Sequence, residues 1–122
     1  MKMDCIFCKI VAGEIPSYKI YEDDSILAFL DINPASAGHT LIIPKKHTLD
    51  INTIDNETLI KIFDKARDIS KKLVNTLNAD GFTLTQNNGD AEEVKHFHLH
   101  IIPRYTEESL LDIEEVFKKI TL

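Results

Sequence analysis

Three of the five histidines in this 122-residue chain fall at every second position, as His96, His98 and His100 in the stretch HFHLH. Alternate side chains of a β-strand share a face, so these three imidazoles point one way while Phe97, Leu99 and Ile101 point the other. The chemistry that suits such a row is nucleophilic and acid–base. Imidazole, with an ordinary pKa of about 6.5, is neutral enough to attack phosphorus near neutral pH and can still take or give a proton. The neutral ring can also become a covalent phosphoramidate. Successive residues on one face of a strand lie roughly 6.5 to 7 Å apart, too far for all three rings to share one small metal ion without distortion. Neighbouring rings can still serve one extended ligand. The competing reading is a polar face decorated with histidine, and strict alternation opposite a fully apolar face argues against it.

Other residues could work with that row. His39 follows Pro34-Ala35-Ser36-Ala37-Gly38 at the start of a β-rich run, from which it can reach a neighbouring strand. Asn87 stands where a short strand gives way to a polar loop. Its amide can donate to a phosphoryl oxygen, although Asn87-Asn88-Gly89 is equally ordinary turn material. Cys5-Ile6-Phe7-Cys8 is open to three readings: a redox pair, half of a metal site, or two buried thiols. No Trp-Cys-Gly-Pro flank and no preceding strand support the first. With histidines elsewhere, the pair has the residue types of a tetrahedral Cys2His2 zinc site, and His47 and His96 are the candidates for the other two ligands. If His96 holds metal, its work is support of the strand and the chemistry moves to His98 and His100.

The elements that must position these residues follow from periodicity and punctuation. Cys5 to Ala12 reads as a turn or short helix ended by Gly13 and Pro16. Tyr18 to Tyr21 and Ile26 to Leu30 read as hairpin strands across the acidic turn Glu22-Asp23-Asp24, and His39 to Ile43 as a third strand stopped by Pro44. From Asn56 to Leu77, the apolar residues Leu59, Ile62, Phe63, Ala66, Ile69, Leu73 and Leu77 keep helical spacing. Asn78 to Gly81 ends that helix. Phe82 to Gln86 is a strand, Asn87 to Val94 a polar loop, and Lys95 to Ile102 the histidine strand, closed by Pro103. Glu107 to Leu122 is a second amphipathic segment with Leu110, Ile113, Val116, Phe117 and Ile120 on one stripe. Hairpin strands with a segregated helix predict an α+β class with a mostly antiparallel sheet.

Composition sets the limits. The length suits one core and a single domain over residues 1–122. A formal charge of −6 argues against a broad nucleic-acid surface while leaving room for a pocket that holds one phosphate. No segment suits a secretory signal or a membrane span, so the expectation is a cytoplasmic protein with no membrane or nucleic-acid partner. There is no glycine-rich phosphate loop, and phosphate must be bound by other means.

These residues resemble the histidine triad (HIT) family over most of the chain. The family pattern His-x-His-x-His with two following apolar residues is met by His96 to Ile102, "FLDINPASAGHTLIIPKKH" from Phe29 to His47 resembles a second block, and "CIFCKIVAGEIPSYKIYEDD" from Cys5 to Asp24 a third. The resemblance is closest to the small nucleoside phosphoramidases. It implies a HIT-like α+β fold: a five-stranded, mostly antiparallel sheet, one long helix and a short helix at each end. It also implies a homodimer with two nucleotide pockets.

By the same resemblance, His98 attacks the α-phosphorus of a purine nucleoside 5'-phosphoramidate or related ester, and water later releases the nucleotidyl-histidine. The backbone carbonyl of His96 orients the His98 ring. His100, His39 and Asn87 match phosphate-contacting positions, Ile15, Phe29 and Ile32 the walls around the nucleoside, and Asp31 the carboxylate that accepts from the ribose hydroxyls. Read from the residues alone, Phe29 and Ile32 are equally core candidates, and a carboxylate between Leu30 and Ile32 needs partners if buried. Relatives with Cys-x-x-Cys bind structural zinc at positions matching Cys5, Cys8, His47 and His96, while the chemistry itself needs no cofactor. One departure is the loop Gly89-Asp90-Ala91-Glu92-Glu93-Val94, shortened and acidic where relatives carry small neutral residues; glutamate beside a phosphate would repel it unless protonated or turned away. The rival activities are dinucleoside polyphosphate hydrolysis by the same nucleophile and nucleotide binding with incidental catalysis.

Overall fold

Asp23 starts the sheet. Its carboxylate accepts hydrogen bonds from the Ser25 and Ile26 N–H groups at 2.8 and 2.9 Å and from the Tyr21 hydroxyl at 2.7 Å. Desolvation raises the pKa of this carboxyl, and those three bonds together with Lys61 more than offset it, lowering the value to about 2. The turn so formed joins β1 (Lys19–Glu22) to β2 (Ile26–Leu30) in the computed structural model, which describes residues 5–89 and 94–121. Then follow β3 (Thr40–Pro44), the long helix α2 (Asn56–Leu77), β4 (Gly81–Thr85), β5 (Leu99–Arg104) and α3 (Ile113–Thr121); α1 (Ile6–Val11) precedes them all. The strands form one sheet in the order β1-β2-β3-β5-β4, every neighbour antiparallel, as the α+β reading required.

Both faces of the sheet centre are apolar, which is why β2 and β3 are buried at every residue. Against one face lies α2, capped by Asp55, whose carboxylate accepts from the Thr58 N–H at 2.8 Å, and ended by Asn78 at a left-handed φ of 56°. Its Ile62, Ala66, Ile69, Leu73 and Leu77 pack with Ile42, Phe97, Leu99 and Ile101. Burying each of these isoleucine and leucine side chains stabilises the fold by roughly 1.5–3 kcal/mol. Against the other face, Phe7 and Ile10 of α1 pack with Leu27, Phe29, Leu41 and Ile43. The histidines lie on this second side.

Several element boundaries depart from the periodicity. The histidine strand was expected from Lys95, yet β5 starts at Leu99. Upstream, the His96 N–H turns back to the Val94 carbonyl at 2.8 Å and the Phe97 N–H donates to the Thr48 carbonyl at 2.7 Å, so these residues satisfy their backbone outside the ladder. The strand also runs through Pro103 instead of stopping there. β3 pairs with β5 only from Thr40 to Ile42 and as far as Ile101, so Pro103 and Pro44 both sit beyond that overlap, where a missing N–H breaks no bond between the two. α3 begins at Ile113, because the Asp112 carboxylate accepts from the Glu115 N–H at 2.8 Å and caps the helix there. Leu110, expected on its stripe, is 89% exposed. In α2, Phe63 likewise faces solvent.

Between β2 and β3 the loop that delivers His39 is tied down on both sides. The Ser36 hydroxyl donates to the Pro103 carbonyl and the Tyr105 hydroxyl to the Ala37 carbonyl, each at 2.6 Å. Gly38 has φ +90°, and a Cβ there would come within 2.7 Å of Leu77 Cδ1 and 3.2 Å of Pro103 Cγ, whereas Gly13, at φ +80°, has nothing within 4 Å of the same position. Gly13→Ala is expected to cost only the conformational term, about 1–2 kcal/mol, and Gly38→Ala about 2–4 kcal/mol once the overlap is added. Urea titration of both variants measures the difference; equal costs would mean that the loop is not clamped against α2.

Candidate functional site

The sheet register brings His39 and His100, distant in sequence, side by side. His100 lies in β5 opposite Leu41 of β3 and Thr85 of β4, and His39 immediately precedes β3. His39 Nε2 is 2.9 Å from His100 Nδ1, and the Ala35 N–H points at His39 Nδ1 from 3.0 Å. A backbone N–H can only donate, so His39 Nδ1 must be the bare nitrogen of that ring. Neutral His39 therefore carries its proton on Nε2, donates to His100 Nδ1, and leaves His100 with its proton on Nε2. Burial pushes the His39 pKa below the ordinary histidine value; Asp31, with Oδ2 3.7 Å from Nε2, opposes the shift, and Arg104 and His98 add to it.

His98 is set the opposite way. Its Nδ1 is 2.7 Å from the His96 carbonyl, which can only accept. The proton thus sits on Nδ1 and the lone pair on Nε2. The ring packs edge-on against Phe7 and His100, with centroid separations of 4.8 and 4.9 Å. A basic nitrogen and an N–H donor are thereby held on adjacent rings, which is the equipment for attack on an electrophile whose developing negative charge needs a donor.

Both rings line a cleft of about 350 Å³ whose other walls include Ile15, Phe29, Asp31 and Ile32, within the size range of small-ligand sites. The expected residues meet there unequally. Phe29 is core and cleft wall at once, 4% exposed, while Ile32 is no core residue: at 69% exposure it stands at the surface. Asp31 has its partners, accepting from the Asn33 N–H at 2.8 Å besides facing His39. His39 lies behind His100 and is not among the lining residues described; neither is Asn87, which is exposed beyond the end of β4. The acidic residues Asp90 to Glu93 fall outside the described residues. Periodicity missed the wall supplied by Ile6, Phe7 and Ile10, because one and a half turns of helix carry too short a pattern to show which side faces a sheet.

His96 turns to other work. Its Nδ1 lies 3.3 Å from Cys5 Sγ and 3.6 Å from Cys8 Sγ, and His47 Nδ1 lies 3.2 Å from Cys8 Sγ. A zinc tetrahedron with Zn–S near 2.3 Å and Zn–N near 2.0–2.1 Å has sulfur-to-nitrogen edges of about 3.5 Å. The four donor atoms all lie within 4.8 Å of one another, so the set fits such an ion. His96 Nε2 donates to the Pro44 carbonyl at 2.9 Å, which leaves Nδ1 as the bare nitrogen available to a metal and fixes the ring plane. Burial pushes the His96 pKa below the ordinary histidine value, against that bond, which favours the neutral form that metal ligation requires. Phe7, between the two cysteines, touches both His96 and His98 rings, at 5.8 and 4.8 Å, so the cluster ties α1 to the cleft.

The HIT domain pattern matches residues 12–107. The chain belongs to the HIT family. An uncharacterized HIT-like protein of Methanocaldococcus jannaschii is 44% identical over 130 residues, covering 95% of this chain and 98% of that one. Adenosine 5'-monophosphoramidase HNT1 of Saccharomyces cerevisiae is 44% identical over 107 residues, 86% of this chain and 65% of the relative. The crystal structure of a zinc-bound histidine triad family protein from Mycobacterium smegmatis superposes with a TM-score of 0.89 at 38% identity, covering 98% of this chain and 91% of that one.

The donor set predicts one zinc ion per chain. Zinc titrated into chelator-stripped protein should raise its melting temperature, by an amount equivalent to about 2.7 kcal/mol at a free concentration of 100 Kd. Cys5→Ser should remove most of that gain. Elemental analysis finding no zinc, together with a melting temperature indifferent to added zinc, would exclude the assignment.

Proposed function

We propose that this protein hydrolyses purine nucleoside 5'-phosphoramidates and related nucleoside monophosphate derivatives through a covalent nucleotidyl-histidine at His98. The observation that carries the reading is the 2.7 Å contact between His98 Nδ1 and the His96 carbonyl, which leaves Nε2 as the bare nitrogen of a ring lining a nucleotide-sized cleft. The activity named for the yeast relative supports it.

In this scheme the neutral His98 Nε2 attacks the α-phosphorus of a substrate already protonated on its amidate nitrogen, the phosphorus–nitrogen bond breaks, and its electron pair departs with the neutral amine, leaving the nucleotidyl group on a cationic His98 ring. Water then attacks the same phosphorus, the bond to His98 breaks, and the nucleoside monophosphate is released. His100, held as an Nε2–H donor by His39, stabilises the non-bridging oxygens as charge gathers there. Asn87 adds a second donor to a phosphoryl oxygen. Ile15, Phe29 and Ile32 flank the nucleoside, and Asp31 accepts from the ribose hydroxyls. Cys5, Cys8, His47 and His96 would hold a zinc ion that fixes α1 in place, and every reacting atom of the scheme belongs to the substrate, water or the histidines. The chain acts as a single domain over residues 1–122.

The working unit in this reading is a homodimer formed along β4. That strand is a sheet edge, and Phe82 and Leu84, opposite Pro103 and Ile101, are 45% and 40% exposed. An open edge with apolar side chains is a template for pairing. No helix among the described residues is long and apolar enough to cross a membrane.

Mass-resolved quenching with adenosine 5'-phosphoramidate tests the chemistry. Wild type should turn over through a transient adenylyl adduct; His98→Ala should show no adduct and turn over at least about a thousandfold more slowly, while still binding AMP. Binding by both proteins with turnover by neither would reduce the site to a nucleotide-binding surface. For the assembly, sedimentation should show wild type as a dimer and Leu84→Lys shifted towards monomer; a wild-type monomer at micromolar concentration would refute the β4 interface.

A further inference from the structure

The reading above leaves one polar group of the cleft without a task. Ser17 lines the cleft, and its Oγ is shielded from water with no hydrogen-bond partner among the described residues. A hydroxyl in that position has surrendered its water and received nothing in exchange, which is destabilising. Its surroundings explain why the chain does not serve it. Ile15 and Pro16 precede it, a proline offers no N–H, and the nearby cleft walls Ile6, Ile10 and Phe29 are apolar.

Register locates Ser17 along the cleft. Lys19 stands opposite Phe29, and the Leu30 N–H donates to the Tyr18 carbonyl at 3.0 Å, so the next residue back, Ser17, comes level with Asp31. On the nucleotide reading, the histidines take the phosphate and Asp31 the sugar. What remains for the apolar walls is the base, whose edge carries donors and acceptors that a dry slot would leave unpaired. Among the lining side chains described, Ser17 carries the one hydroxyl.

We propose that Ser17 is a base-binding residue whose hydroxyl turns into the cleft and hydrogen-bonds the polar edge of a purine base. A serine hydroxyl changes direction by rotation between staggered χ1 positions. Because a hydroxyl both donates and accepts, it serves adenine or guanine and rewards the presence of a base rather than one purine over the other. The proposal rests on the nucleotide reading.

The test measures binding of AMP and of ribose 5-phosphate to wild type and Ser17→Ala, with the melting temperature of each ligand-free protein. AMP should bind the variant about 3- to 10-fold more weakly, the worth of one neutral hydrogen bond, and ribose 5-phosphate equally to both. The ligand-free variant should melt no lower than wild type, since the hydroxyl it lacks was unpaired. Unchanged AMP binding overturns the proposal, as does a parallel loss for both ligands, which would assign the hydroxyl to the sugar. A lower melting temperature with unchanged binding makes Ser17 structural. If wild type binds neither ligand, the nucleotide reading itself fails and the proposal with it.

Discussion

The 2.7 Å hydrogen bond from His98 Nδ1 to the His96 carbonyl depends on that carbonyl being out of the sheet ladder. Inside a paired strand a carbonyl is committed to its neighbour, and a side chain two residues on could not have it. The chain frees it by delaying β5 until Leu99. The Phe97 N–H is served by Thr48 and the His96 N–H by Val94, so the departure leaves those two donors satisfied. The position of the β3–β5 overlap, the proline at the end of β3 and the path of residues 44–48 all accommodate this short excursion.

Backbone groups decide the state of three of the histidines, and a fourth, His100, takes its state from His39. The Ala35 N–H makes His39 Nδ1 an acceptor, the Pro44 carbonyl makes His96 Nε2 a donor, and the His96 carbonyl makes His98 Nδ1 a donor. Backbone amides do not titrate and scarcely move, so the division of labour among chemically identical rings is built into the fold. One ring presents a lone pair to the cleft, one an N–H, and one a bare nitrogen to the cysteines. Prolines contribute through their carbonyls: Pro44 holds His96, and Pro103 holds Ser36 in the loop that carries Ala35 and His39.

The cysteine–histidine cluster extends the same economy to α1. Six residues of helix are too short to be stable alone, and α1 is held by Phe7 and Ile10 packed against the histidine-bearing face of the sheet and by Cys5 and Cys8 beside His47 and His96. Because Phe7 touches His96 and His98, the packing that secures the helix also shapes the cleft.

The sequence by itself determined whatever depends on local period and local chemistry. Alternation over residues 96–101 divided histidine from apolar side chains, helical spacing marked Asn56 to Leu77 to the residue, and the buried run Ile26 to Leu30 emerged as a strand. The Cys-x-x-Cys motif stayed open to three readings in the sequence, with His47 and His96 as candidate partners, and only the fold brought the four donor atoms within 4.8 Å of one another. The tertiary structure alone decided which strands are neighbours, and hence that His39 meets His100 across 61 residues of sequence. It also decided that β5 starts late and runs through Pro103, that α1 walls the cleft, and that Ile32 is exposed while Phe29 is buried. Side-chain period says which face a residue takes but not what covers that face. The second question is settled by long-range pairing, and by the requirement that each buried backbone group find a partner.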